Sequence, residues 1–233
     1  MFKTTISAAE VAKALRISEN GVLELAKENG FDIVDGGLSV SKAAEFMQKV
    51  EQDDGLSRLR AAEFLTRAVQ RYVIIVDTCT LLNDAFLNLY RRLTPLLNAE
   101  GKKLVIPTSV TAELKHLLIT RPDLRSKIAN VFAFLEEEYV AEMIEFQGDE
   151  TEVFGDQQIL SLASKLFLTS DVMLLTYDKN LARDALNLKN LGSIKGHDIS
   201  VNRVSKHGFI SRLLPKTHEP ARGYRTATAY VMP

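Results

Sequence analysis

Three runs of apolar residues constrain this chain more than any other feature. They are "YVIIV" (Tyr72–Val76), "KLVIP" (Lys103–Pro107) and "VMLLTY" (Val172–Tyr177), and an amphipathic stretch follows each. A strand with one wet face alternates apolar and polar residues, whereas a strand without alternation is buried on both faces. The spacing predicts helices over Leu81–Leu93, Thr108–Thr120 and Asn180–Leu188. Strands joined through helices pair in parallel, because parallel neighbours need a crossover. The expected class is α/β, a parallel sheet sandwiched between helices. With 46% hydrophobic residues the chain has ample material for such a core.

The first fifty-odd residues follow a different pattern. Ser7-Ala8-Ala9-Glu10 has capping-box spacing, and Val11 and Leu15 share one helical face. "RISENG" interrupts, and Val22, Leu23, Leu25 and Ala26 predict a second helix that stops near Gly30. "FDIVDGGLSV" predicts a short hairpin around Asp35-Gly36-Gly37, and a third helix over Ser41–Val50 buries Ala43, Ala44, Phe46 and Met47. This is a small helical domain with a helix-turn-helix character. Its second helix carries Glu19, Glu24 and Glu28 against Lys27, a poor surface for phosphates, so it suits docking or substrate positioning better than reading DNA. The polar "EQDDGLSR" (Glu51–Arg58) marks the boundary. The expected organisation is a docking domain over 1–55, a linker helix over 56–70, the α/β domain over 71–212 and a basic, flexible tail over 213–233.

Parallel sheets place their ligands beyond the carboxyl ends of the strands. Four acids fall there. Asp77 ends the first apolar run and Asp178 the third, Glu113 lies early in the helix after Pro107, and Asp156 follows Gly155 at a helix start. Glu113 shares its helix with buried Val110, Leu114 and Leu117, and Asp156 with an inner face of Ile159, Leu160, Ala163 and Leu166. Each acid has a simpler reading: Asp156 as a helix cap, Asp77 and Asp178 as turn residues, Glu113 as a solvated residue favoured by the helix dipole. Four such accidents on one rim are less economical than one site. Crowded carboxylates resist ionising together, and a hard divalent ion relieves the repulsion. Oxygen donors suit Mg²⁺ or Mn²⁺, and no Cys/His cluster suggests zinc.

"IIVDTCTLL", "VIPTSVTAEL", "FGDQQILSLA" and "LLTYDKNL" together resemble the PIN-domain nucleases over roughly residues 72–209, including "IKGHDISV" as a terminal strand. The resemblance implies a metal site of Asp77, Glu113, Asp156 and Asp178, supported by the hydroxyls of Thr78 and Thr176. Tyr177 and Cys79 stand where Asn is frequent in that family. It further implies a Mg²⁺- or Mn²⁺-dependent endoribonuclease acting on single-stranded or loop RNA. RNA over DNA rests on the resemblance alone, since no base-reading motif is visible.

Net charge is −1, but unevenly spread. Lys189–Arg225 holds eight basic residues against Asp198 and Glu219, whereas Met1–Leu56 holds ten acidic against six basic. The basic stripe makes Lys195, Arg203, Lys206, Arg212, Lys216, Arg222 and Arg225 candidate RNA contacts. In the tail, Tyr224 and Tyr230 add rings for stacking on bases. The acidic N-terminal part favours a protein partner, and a homodimer is a second expectation. A single cysteine, Cys79, excludes an internal disulfide, and no apolar run approaches the ~20 residues of a membrane span. A cytoplasmic protein without a membrane partner is expected. The rival reading is a non-catalytic nucleic-acid- or protein-binding regulator built on a nuclease-like domain, favoured if fewer than three of the four acids converge.

Overall fold

The computed structural model describes residues 5–52, 54–148, 155–190 and 196–213. The chain opens with β1 (Thr5–Ser7), α1 (Ala8–Leu15), α2 (Glu19–Glu28), β2 (Gly37–Ser39) and α3 (Val40–Gln52). The capping box forms: Ser7 Oγ accepts from the Glu10 amide at 3.2 Å, and the Glu10 carboxylate accepts from the Ser7 amide at 2.9 Å. Arg16, left-handed at φ 53°, ends α1, and Ser18 caps α2 by accepting from the Gly21 amide.

The predicted hairpin is corrected. The turn at Asp35-Gly36 exists and is closed by a Val34–Gly37 bridge, but β2 pairs antiparallel with β1 rather than with the residues before the turn. Gly37 permits this because a Cβ there would stand 2.8 Å from the Ile6 carbonyl oxygen. In α3, Ala43, Phe46 and Val50 are buried and Met47 is half-buried, while Ala44, expected inside, is exposed.

Helix α4 (Asp54–Arg71) joins two apolar clusters. Its Leu56 belongs with Leu15, Val22, Phe46 and their neighbours, and its Leu65, Ala68 and Val69 belong with the central sheet. Polar bonds fix the N-terminal segment to the same helix. Glu63 accepts from the Ser18 amide and hydroxyl, and Arg60 donates to the Leu15 carbonyl.

The remainder alternates as expected: β3 (Tyr72–Val76), α5 (Thr78–Leu81), α6 (Phe86–Glu100), β4 (Leu104–Pro107), α7 (Thr108–Thr120), α8 (Arg125–Val140), β5 (Ile144–Gln147), α9 (Gly155–Phe167), β6 (Asp171–Leu175), α10 (Lys179–Asn187), β7 (Ile199–Val204) and β8 (Ile210–Arg212). The six strands order β5-β4-β3-β6-β7-β8, all parallel except β8, which runs antiparallel to β7. Ile74, Ile75 and Val76 of β3 and Val172–Leu175 of β6 are buried throughout, as strands covered on both faces must be. Helices α4, α7, α9 and α10 pack on the sheet. No helix among the described residues is long and apolar enough to cross a membrane.

One predicted helix, Leu81–Leu93, is broken in two. The Asn83 side chain accepts from the Ala85 amide at 2.9 Å and turns the chain between α5 and α6. Leu117, Leu160 and Leu166, expected inside, are only partly buried, and Leu162 and Phe167 complete the inner face of α9.

Opposite the acidic rim, the entry ends of the two central strands carry an ionic clamp. Arg71 bonds to Asp171, which also accepts from the Asp198 amide. Asp198 accepts from the Tyr72 phenol at 2.8 Å and pairs with Lys189 at 2.6 Å. Burial pushes both carboxyls up, but these donors outweigh it and hold both below the usual 3.8. Because the folded pKa is depressed, this contribution is full above the unfolded value and is lost as pH falls through the folded one. Asp171→Asn is therefore expected to cost about 1–2 kcal/mol at neutral pH, the worth of charge-assisted hydrogen bonds. Urea unfolding at pH 7 and pH 3 should find the gap narrowed at the lower pH. An undiminished gap would assign the loss to packing instead of charge.

Candidate active site

From β3 the chain builds outward through β4 and β5, then returns to add β6 and β7 on the other side. The order reverses between β3 and β6, and such a switch point opens a crevice at the carboxyl ends of the strands. Asp77 lies directly beyond β3, and Asp178 lies just beyond β6, after Thr176 and Tyr177.

Asp77 is 6% exposed and N-caps α5. Three groups donate to its carboxylate: the Thr78 amide at 2.7 Å, the Thr176 hydroxyl at 2.7 Å and the Cys79 thiol at 2.9 Å. Even so its pKa is raised, chiefly by burial, with Asp156 adding repulsion. Burial outweighs the three donors, so this carboxylate is costly to keep charged without a cation.

The neighbours of Asp77 tie it to the other acids. The Thr78 hydroxyl donates to Glu113 Oε2 at 2.6 Å, so α5 and α7 meet at a carboxylate. Thr176 Oγ1 donates to Asp77 and accepts from the Asp178 amide at 3.0 Å, so one hydroxyl bridges two strand ends. Asp178 N-caps α10, with Oδ1 accepting from the Asn180 and Leu181 amides at 2.6 and 3.0 Å. Asp156 is the second residue of α9 and is exposed. Its pKa is raised by burial first, then by the charges of Asp178, Glu113 and Asp184. A Cβ on Gly155 would stand 4.0 Å from Glu113 Oε2, so the start of α9 faces α7 closely. The fold thus gathers the four acids into one electrostatic neighbourhood, with Thr78 and Thr176 as its hydrogen-bond links.

Two members of this neighbourhood escaped the sequence reading. Asp184 acts on Asp156 from the second turn of α10, and only the packing of α10 against α9 brings it there. Cys79 stood out in the sequence as the single cysteine and as a departure from the PIN-domain pattern, not as a member of the site. In the fold its sulfur donates to Asp77 and accepts from the Tyr177 amide at 3.1 Å. Burial and the Asp77 charge push its pKa up to about 11, which keeps it a thiol at neutral pH and removes it as a nucleophile.

The donors here are carboxylate and hydroxyl oxygens, a hard set that fits Mg²⁺ or Mn²⁺ in chemistry. Among the described residues, no three Asp, Glu, His or Cys side chains close on one point as a ready-made cation cage. Asp77 is locked by its donors, while Glu113, Asp156 and Asp178 are exposed to solvent.

Of the candidate RNA contacts, Arg203, Lys206 and Arg212 are exposed on or beside β7 and β8. Lys195, Lys216, Arg222 and Arg225 lie outside the described residues, as do Tyr224, Tyr230 and nearly all of the expected basic tail.

Comparison with known proteins returns little. No family model matches this chain, and no curated protein does. Among solved structures, a match is the structure of the PIN domain endonuclease Utp24, at 22% identity and a TM-score of 0.36, over 60% of this chain and 92% of that one.

Proposed function

We propose that the protein is a Mg²⁺- or Mn²⁺-dependent endoribonuclease that cuts single-stranded or loop RNA at the carboxyl edge of its parallel sheet. The observation that carries this reading is the hydrogen-bonded convergence at the rim: Thr78 links the Asp77 cap to Glu113, Thr176 links Asp77 to Asp178, and Asp156, raised first by burial, also feels the charges of Asp178, Glu113 and Asp184. Natural folds keep such charge together where a cation or a reacting group uses it. Asp77, Glu113, Asp156 and Asp178 would hold the ion.

A bound divalent ion supplies charge neutralisation for the phosphodiester and acidifies water for attack. The chain's own residues set the geometry. Thr78 orients Glu113, Thr176 orients Asp77, and the helix caps fix the backbone of Asp77 and Asp178. Asp156, exposed at the start of α9, would bind an ion or orient the attacking water, as would Asp178. Rigid placement of this kind is where most of the rate in phosphoryl chemistry originates.

The test is incubation of purified protein with labelled RNA and DNA under Mg²⁺, Mn²⁺ or EDTA. Internal cleavage of unpaired RNA that EDTA abolishes is the expected result. Cleavage that persists in EDTA would refute the reading. A second reading is a non-catalytic regulator that binds nucleic acid or protein, since among the described residues no three acids close on one point. Binding without cleavage under all three conditions would select it.

The N-terminal segment is proposed as a separate docking domain for a protein partner, and a homodimer is a separate proposal for the chain. Removing Met1–Leu56 takes away the N-terminal apolar cluster, including Leu56, but leaves every residue of the rim. Cleavage of short unstructured RNA is expected to survive, while activity on the natural target or complex changes. An insoluble product, or one inactive on every substrate, would contradict separate domains.

A further inference from the structure

A cleft of about 510 Å³ lies beside the acidic rim, between the α5–α6 turn and the β7–β8 hairpin. Asn83, Asp84, Tyr177, Arg203, Ser205 and Lys206 line it. Its size is within the range of about 300–1,000 Å³ typical of small-molecule sites. Two of its lining residues sit on the segments that carry the acids: Asn83 follows α5, which Asp77 caps, and Tyr177 stands between Thr176 and Asp178. Whatever occupies this cleft is held next to the rim.

We propose that this cleft is the subsite for the nucleotide adjoining the scissile phosphate of a single-stranded RNA, with Arg203 and Lys206 on its phosphate and Tyr177 against its base. The proposal rests on the nuclease reading above for its substrate.

Charge points to a phosphate. Among the described residues, neither Arg203 nor Lys206 is paired with a carboxylate. The acid in the cleft, Asp84, already bonds to Lys127 from outside it. The cleft is therefore net positive beside an acidic rim, an arrangement that draws the backbone in and positions it.

Ring and wall geometry point to an unpaired base. The Tyr177 phenol donates to the Val204 carbonyl, which pins the half-buried ring as a fixed platform. The opposite wall is equally firm. Gly208, at φ +72°, leans the hairpin turn onto α6 so closely that a Cβ would stand 2.7 Å from Asn88 Cβ. Arg92 sits 4.3 Å over the Phe209 ring, and the Ser205 amide donates to the Phe209 carbonyl at 2.7 Å. Duplex bases are stacked on one another and cannot reach such a platform, whereas an unpaired base can.

The test is fluorescence anisotropy of the full chain with a labelled ten-residue oligouridylate in EDTA, across a potassium chloride series. Each phosphate contact on a single strand contributes about −0.7 to the slope of log affinity against log salt. Arg203→Ala with Lys206→Ala should flatten that slope by about 1.4. Tyr177→Ala should weaken binding roughly tenfold with little change in slope, as loss of stacking requires. Should Tyr177→Ala fail to fold by its melting curve, the paired exposed cations decide alone. An unaltered slope in the double variant, or no binding by the wild type, overturns the subsite. Because binding is read without metal, a slope change in a protein that never cleaves RNA would retain the cleft and reject the nuclease, while cleavage with an unaltered slope would do the reverse.

Discussion

Asp77→Asn and Asp178→Asn are expected to lower metal-dependent RNA cleavage by about a thousandfold or more, equivalent to the several kcal/mol a metal ion lends a transition state. Folding should be spared for reasons specific to each site. Asn caps a helix as well as Asp does, so the two backbone bonds that Asp178 accepts survive the change. Asp77 loses a charge that burial already disfavours, and its melting temperature should stay level or rise. Cleavage assays and melting curves on the same preparations check both halves. A variant that keeps most of its cleavage would remove these acids from the site. One that unfolds would make them structural caps.

Millimolar Mn²⁺ is expected to stabilise the wild type by about 2.7 kcal/mol at a hundredfold excess over its dissociation constant. For a chain of this size that is roughly 5–10 °C in melting temperature. The gain comes from relieving repulsion among Asp77, Glu113, Asp156 and Asp178, so Glu113→Gln should shift distinctly less. Equal shifts in the two proteins would put the ion elsewhere. The variant also removes the acceptor of the Thr78 hydroxyl, and its metal-free melting temperature serves as its own baseline.

How much of this was legible follows from the kinds of signal involved. Strands β3, β4 and β6 declare themselves because burial on both faces leaves no polar residue inside them. β5 does not: Ile144-Glu145-Phe146-Gln147 is an edge strand with three half-buried residues, and its composition does not separate it from a loop. β8 is short and on the other edge. The break between α5 and α6 depends on one side chain, Asn83, turning back to an amide two residues on. The misread hairpin depended on a partner thirty-odd residues away, since β2 chose β1 over the adjacent chain. Asp77, Glu113, Asp156 and Asp178 could be aligned on one rim from their positions after strands and at helix starts. Asp184 could not, because nothing in "DKNLARDA" marks its second acid as facing another helix.

The entry-end clamp and the exit-end acids share the same two strands, and the distance between them has a consequence for acid denaturation. β3 and β6 are five residues each. At about 3.3 Å per residue they hold the two charge sets roughly 17 Å apart. That is about two screening lengths at physiological ionic strength. Protonating Asp171 and Asp198 therefore perturbs the exposed Asp156 little, whereas buried Asp77 is screened less. On the proposed metal reading, release of an ion from the rim and loss of the clamp would be two distinct events on acidification.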